Sequence, residues 1–401
     1  MAELTESAEE LLRTGINIFI NLYNNQFPTE FGWAPGRVNL VGEHTDYNNG
    51  YVFPMALPMV TMVIGAQNYS SKIRVYTHNP AIERCSVTFK VPDEVDLTRG
   101  EPDWANYIKG TVSYFQGAKI PGFNAVIMSS IPLEVGLGGS AALVIATYNF
   151  LENLTGVKTK DLLTKALICQ SVEHCFAQHP CGLMDQFCGI FSRKGHALLF
   201  DCMYLNCNNV PFNDPDITVL IINSNITKRV GTKYIVRRNQ CFIAAKIMNY
   251  DSLRECGTRD LLKYRTKMED VVFRRARHVI SEMNRTIEAS QALKLKDYYS
   301  LGLLMTQSHH SLRDDFEVSC SEIDDLVEIT LKAKGVYGSR ITGSGFGGCT
   351  VSLVKTQNVK DIIQYIKNNY QGSTANFYTV KAFGTDFIMD PSLDIIVKEH
   401  L

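Results

Sequence analysis

The sequence carries no surplus charge of either sign. Forty lysines and arginines face 41 aspartates and glutamates over 401 residues, for a formal net charge of -1. A nucleic-acid partner would demand a concentrated basic surface, so none is expected. Long apolar runs are also missing, and nothing approaches the roughly 20 residues of a membrane-spanning helix. No membrane partner is expected. The segment MAELTESAEELLRTGINIF mixes acids with apolar residues at helical spacing and lacks a signal-peptide core. Cysteine is frequent, at 11 residues, but odd in number and scattered. Pairs such as Cys202/Cys207 and Cys181/Cys188 lack CxxC spacing, so neither a zinc framework nor a disulfide scaffold follows. A reducing, cytoplasmic setting is expected. The chain also contains no Gly-Lys dipeptide, which removes a Walker loop, and no HRD or DFG, which removes a protein kinase.

What is present is ordinary globular composition, 45% hydrophobic and 20% charged. The length suggests two or three structural domains. Periodicity predicts a helix over 6–24, then strands at GRVNLVGEH, MVTMVIGAQ, SKIRVYTH and CSVTFKV. WANYIKGTVSYFQG has helical spacing, FNAVIMSSIP reads as a buried strand, and helices are expected over 140–155 and 160–177. Strands follow at HALLFDC and DITVLIINS. Residues 234–334 read as largely helical with charges on exposed faces, and the tail reads strand, helix, strand. Repeats and long linkers are absent, which places a domain boundary in a compact join near 205–215, dividing 1–210 from 211–401.

Four stretches carry unusual chemistry. In EVGLGGSAALVIATYNFL a glycine turn runs straight into a helix, with Ser140 placed to cap it. Such a terminus also suits a phosphate, so a plain capped turn and a phosphate cradle both stand. APGRVNLVGEHTDYNNGYVFPMAL packs Arg37, Glu43, His44 and Asp46 into ten residues. They can bind a polyol, although TDYNNG is turn chemistry in its own right and a metal site is a third option. In HPCGLMDQFCGIF, Asp185 sits among apolar residues beside Gly182. A carboxylate there must be paired, hydrogen-bonded or protonated, either as a helix cap or as a working group. Upstream, Glu173 in QSVEHCF is a solvated helix residue or a Mg²⁺ ligand. Finally, GSRITGSGFGGCTVSLV satisfies GxGxxG at Gly343, Gly345 and Gly348, but β-branched residues follow instead of a helix. It is a glycine turn between strands.

Together these segments resemble the three signature motifs of the galactose, homoserine, mevalonate and phosphomevalonate (GHMP) kinase superfamily. GRVNLVGEHTDYNNG is similar to the galactokinase signature itself, and the likeness runs on through WANYIKG, HPCGLMDQF, KGHALLFDC, RRARHV, SLRDDFEVSC and GVYGSRITGSGFGGC. The resemblance implies an α+β, two-lobed GHMP-kinase fold. Its amino-terminal lobe is like the second domain of ribosomal protein S5, its carboxyl-terminal lobe is ferredoxin-like, and the active site lies between them. It also implies ATP-dependent phosphorylation of galactose at the anomeric hydroxyl by a monomeric enzyme.

Carried over position by position, Arg37, Glu43, His44, Asp46, Gly182, Asp185 and Tyr234 form the sugar site, with Asp185 and Arg37 catalytic. Gly136, Leu137, Gly138, Gly139, Ser140 and Ala141 form the phosphate loop. Trp104 and Tyr107 contact the nucleotide, and Ser140 and Glu173 lie near Mg²⁺. The Gly343–Gly348 turn supports the substrate side of the cleft. An arginine beside Asp185 keeps the carboxylate ionised but makes it a weak base, so its role is to orient the hydroxyl and accept the proton late.

Two departures from the family pattern matter. The loop reads GLGGSA where active galactokinases usually read like GLSSSA, so Gly138 and Gly139 replace hydroxyls, and Lys233 stands where an acid is common. These keep two alternatives in view: a non-catalytic galactose-sensing transcriptional regulator and an N-acetylgalactosamine kinase. The intact EHTDYNNG argues against the second, and Asp185, Arg37 and Ser140 against the first.

Overall fold

Ser7 and Glu10 open the chain's first helix with a reciprocal capping box, each side chain accepting the other's backbone N–H at 3.1 Å. This structure, a computed structural model, describes residues 7–92, 96–133, 135–226, 232–372 and 374–386. The helix Ala8–Leu22 therefore begins at its cap, and Glu6, the expected start, lies outside the described residues, as does Glu134 of the glycine loop. Leu11, Leu12, Ile16 and Phe19 recur at three- and four-residue spacing and are buried against Val60, Met62, Ile64 and Val126.

Those partners belong to a five-stranded sheet ordered Glu30–Asn39, Pro54–Gln67, Phe123–Ser129, Lys72–Thr77, Ser86–Lys90. Neighbours are antiparallel except Lys72–Thr77 beside Phe123–Ser129. Helix Gly139–Thr155 packs on the sheet, burying Val144, Ile145, Tyr148 and Leu151. The expected strand GRVNLVGEH is cut short at Asn39, because Gly42 and His44 take positive φ (104° and 65°) and turn the chain. A second sheet joins Tyr51–Val52, His196–Asp201 and Asn206–Pro211. The last of these carries no strand pattern in its sequence, since NCNNVP is polar and pairs on one side only, as an edge strand can.

The remaining strands form an antiparallel sheet ordered Val336–Thr342, Cys349–Lys355, Ile217–Asn223, Asn376–Val380. With Val359–Asn369 between its last two strands, the chain runs βαββαβ, the ferredoxin-like pattern. Ile362, Ile363 and Ile366 of that helix, with Leu326 of Ser321–Lys332, close over Leu220, Ile222 and Val354. The helical stretch expected over 234–334 is present as Lys233–Ile247, Thr258–Lys263, Asp270–Lys294, Tyr298–Asp314 and Ser321–Lys332. Its polar residues are not all outside: Arg275, His278 and Glu282 of the 25-residue helix are buried. The tail then returns to the first lobe, where Phe383 N–H donates to Ala56 O at 3.0 Å.

Candidate active site

The strand Glu30–Asn39 shifts register between Pro35 and Arg37, and Arg37 leaves it with three attachments. Its backbone N–H donates to Leu137 O at 2.8 Å, and Nη1 donates to Gly136 O. Nε and Nη2 form a two-pronged bond to the carboxylate of Asp185, 2.8 and 2.9 Å long. Burial works against the guanidinium charge, but Asp185 and Glu43 more than offset it and hold Arg37 above its usual range. Asp185 lies in the first turn of Met184–Phe191 without a capping bond, so it is a half-buried acid paired with Arg37 and not a helix cap.

The signature turn comes next. Thr45 Oγ1 lies 2.9 Å from Gly42 O and 2.6 Å from Tyr51 O, and Asn48 Nδ2 donates to His44 O. The turn chemistry of TDYNNG thus serves to aim the polar side chains. Asp46 opens the short helix Asp46–Asn48, and burial, with the charge of Asp185 second, pushes its carboxyl up to about 7. Gly182 lies against it: a Cβ there would fall 1.6 Å from Asp46 Oδ2. His44 is buried and its Nδ1 lies 2.9 Å from Tyr47 Oη, whereas Nε2 has no hydrogen bond of good geometry. Burial lowers the ring to about 4, although Glu43 and the Ser344 backbone favour the proton. Tyr234 completes an aromatic wall, 5.0 Å from Tyr47 and 5.9 Å from His44 between ring centroids.

The glycine loop corrects one expectation. Ser140 does not cap the helix, which already begins at Gly139. The capping position belongs to Gly138 at φ 80°, with Gly136 at φ 84° before it, and both conformations suit glycine. Ser140 and Ala141 therefore lie in the first turn, where backbone N–H groups have no intrahelical acceptor. The two glycines of the departure differ. A Cβ on Gly138 would sit 3.1 Å from Arg37 Cγ, whereas one on Gly139 meets only Ile131 Cγ2 at 3.7 Å.

The Ser140 hydroxyl lies close enough to Glu173 to favour its ionised form, and Glu173 lies in the π-helical turn Val172–Phe176. Gln186 Nε2 donates to Glu173 Oε1 at 2.7 Å. Burial, followed by the charge of Asp185, pushes Glu173 up to about 8, so it is not the solvated residue its helix suggested. Tyr107 stands near enough that Glu173, after burial, helps raise its phenol to about 12. Trp104 is anchored elsewhere, its indole N–H donating to Arg84 O at 2.9 Å.

The third motif is the turn of a hairpin between Val336–Thr342 and Cys349–Lys355, with no helix after it. It meets the first motif through Glu43. Oε1 of Glu43 accepts from Thr342 Oγ1 at 2.9 Å and Gly343 N–H at 2.7 Å, with Arg340 Nη2 3.3 Å away. Arg340 is fully buried and also donates to Asn39 O and Leu40 O. Lys233 places its ammonium 4.9 Å from the centroid of Phe346 in the same turn. Sequence reading misses Arg340, His278 and Glu282. Their spacing marks them as polar residues of a strand and a surface helix, and only packing buries them.

Two lobes, a glycine loop opening a helix, and a half-buried acid clasped to that loop by an arginine define a small-molecule kinase of the GHMP class. The chain matches the GHMP kinase N-terminal domain over residues 106–193 and the C-terminal domain over 289–372. Residues 17–67 match the galactokinase galactose-binding signature. It is 47% identical to a galactokinase of Bos taurus and 46% identical to one of Homo sapiens, each over 87% of this chain and 89% of the relative. A galactokinase of Clostridium acetobutylicum is 38% identical over 91% of this chain and 94% of its own. Among solved structures, Lactococcus lactis galactokinase complexed with galactose superposes with a TM-score of 0.88, at 31% identity over 93% of this chain and 98% of that one. Methanococcus jannaschii mevalonate kinase shares the fold at a TM-score of 0.62 and 19% identity, over 89% of this chain and 99% of that one. The chain belongs to the galactokinase family. Among the described residues no helix is long and apolar enough to cross a membrane.

Proposed function

We propose that Asp185 and Arg37 carry the chemistry by which this galactokinase-family enzyme phosphorylates galactose, moving the ATP γ-phosphoryl group to the anomeric hydroxyl. The observation that carries this reading is one guanidinium bound at once to both oxygens of Asp185 and to the Gly136 carbonyl of the glycine loop. Phosphoryl transfer depends mainly on positioning and on neutralising developing negative charge. Arg37 bonds both oxygens of Asp185, and about two of the four lone-pair sites of a carboxylate remain for a sugar hydroxyl. Asp185 orients that hydroxyl and takes its proton late, while Arg37 stabilises the moving phosphoryl group.

The sugar is held by the signature turn: His44 and Asp46 accept or donate to hydroxyls, Glu43 braces the turn from the third motif, and Gly182 and Tyr234 shape the wall. Residues Gly136, Leu137, Gly138, Gly139, Ser140 and Ala141 offer backbone N–H groups to the ATP phosphates, and Trp104 and Tyr107 flank the nucleotide. Mg²⁺ fits this setting. Glu173 is a buried acid that a cation would hold in its ionised form, and the Ser140 hydroxyl lies near it. Magnesium commonly takes one or two carboxylates, with phosphates and waters supplying the rest. Ser140 and Glu173 would hold it, and when bound it supplies neutralising charge to the phosphate oxygens. The lobes divide this labour near residue 210, with 1–210 holding the glycine loop and signature and 211–401 the third motif. All 11 cysteines are free, in keeping with a reducing cytoplasm, where we place the enzyme as a monomer.

The test is coupled ADP release with galactose, N-acetylgalactosamine and glucose in parallel. Galactose should turn over. Glucose, its C4 epimer, should lose at least about a hundredfold in kcat/KM, because a site built to bond a hydroxyl penalises its inversion. Equal rates on galactose and glucose would refute this pocket, and ATP and galactose binding without ADP release would refute the catalytic reading.

A further inference from the structure

Glu282 is a fully buried acid on the helix Asp270–Lys294, outside the glycine loop, the signature turn and the third motif. Its Oε1 accepts the backbone N–H of Gly42 at 2.9 Å and the Ser308 hydroxyl at 2.5 Å, while Oε2 takes Arg285 Nε at 2.7 Å. One turn earlier, His278 Nε2 lies 3.1 Å from Glu43 O and Nδ1 lies 2.9 Å from Ser311 Oγ. Burial holds that ring near pKa 3, so it is neutral, and Nε2–H donates to Glu43 O while Nδ1 accepts from Ser311. One helix thus grips the two residues that precede His44.

Gly42 has little freedom to drift. Its φ is 104°, and a Cβ there would meet Tyr51 O at 2.7 Å and Thr286 Oγ1 at 2.9 Å. A buried ion pair contributes little net stability compared with apolar side chains of the same shape. Folding alone is therefore a weak reason for a charged Glu282–Arg285 pair at this spot. We propose that Glu282 is a positioning residue for galactose recognition, fixing through the Gly42 amide the turn that presents His44 and Asp46. The inference rests on the reading of that turn as the sugar site.

The experiment measures KM for galactose and ATP, kcat, and calorimetric galactose binding in the full chain. Glu282→Gln keeps the shape but sets an amide donor among donors. Galactose KM and Kd should rise about tenfold, the scale of one charge-assisted hydrogen bond, with ATP KM unchanged. Arg285→Gln breaks the ion pair and leaves the Gly42 bond, so it should lower Tm with galactose KM near wild type. If both variants lower Tm alike and bind galactose normally, Glu282 is structural only and the inference is overturned. Should Glu282→Gln not fold, Ser308→Ala removes one bond to the same oxygen. A galactose KM raised about threefold supports the inference, and an unchanged one overturns it. Asp46→Ala separates the two layers. If it binds galactose normally, the sugar-site reading falls and this inference with it. If it loses galactose while Glu282→Gln does not, only the inference falls.

Discussion

Arg37 and Asp185 face each other through two parallel N–H···O bonds of 2.8 and 2.9 Å, although 148 residues separate them. The same guanidinium bonds the Gly136 carbonyl, so one side chain ties the acid to the glycine loop.

Asp185→Asn should abolish phosphoryl transfer and leave the fold largely intact. The amide is nearly isosteric but cannot accept the proton, and it turns a donor toward Arg37. A positioned proton acceptor is worth roughly 10²–10⁴ in rate, so kcat should fall by that order with little change in galactose KM. Steady-state kinetics decide the point: near-wild-type kcat removes Asp185 from the mechanism.

Asp46→Asn should separate stability from function through pH. Burial and Asp185 push the Asp46 carboxyl up to about 7 in the folded chain, against 3.8 for a free side chain. A raised carboxyl contributes stability that is complete below the unfolded pKa and lost as pH rises through the folded one. Without galactose, the variant and wild type should therefore melt alike near pH 4. At pH 8 the variant should be the more stable, with about 1.4 kcal/mol at stake for each tenfold rise in the carboxyl's proton affinity on folding. Its galactose affinity should nonetheless drop. Melting curves that keep the same separation at both pH values would contradict this account.

Gly138→Ser and Gly139→Ser should behave oppositely. Gly138 has φ 80° and its Cβ would press on Arg37, so the substitution should lower both Tm and kcat/KM for ATP. Gly139 is the first residue of a helix, where a Cβ would make only an ordinary contact with Ile131, and a residue with a Cβ there is favoured by roughly 0.5–1 kcal/mol. Gly139→Ser should raise Tm and, by returning a hydroxyl to the loop, raise kcat/KM for ATP. A fall in activity for Gly139→Ser would mean that the glycine loop is its own adapted solution.

Gly182→Ala should weaken sugar binding more than folding. The new Cβ cannot coexist with Asp46 Oδ2 at 1.6 Å, so the carboxylate must turn away. A lost hydrogen bond to a charged group costs roughly 1.5–3 kcal/mol, which predicts a galactose KM raised about tenfold or more. ATP KM should hold. A galactose KM within error of wild type would show that Asp46 does not need the space.

Much of this molecule is written locally. The capping box at Ser7 and Glu10, the β-branched strands, and the glycine turn of the third motif all follow from residues within a few positions of one another, because backbone preference and short-range hydrogen bonds decide them. The resemblance to galactokinase motifs also places Arg37, Asp46 and Asp185 in one site before any fold is in view. Even so, sequence alone puts the helix start one step late at Ser140, since the positive φ that makes Gly138 the cap is seen only in the folded chain, where Gly138 lies against Arg37. The resemblance places Glu43 among the sugar-site residues, but only the fold shows that its Oε1 accepts from Gly343 N–H, 300 residues away. Glu282 reaches Gly42 across 240 residues from a helix whose sequence looks solvated. Such bonds have no periodicity to betray them. They exist only once distant segments are packed together, and that packing also removes the water that would otherwise leave Asp46, His44 and Glu173 at their ordinary pKa values.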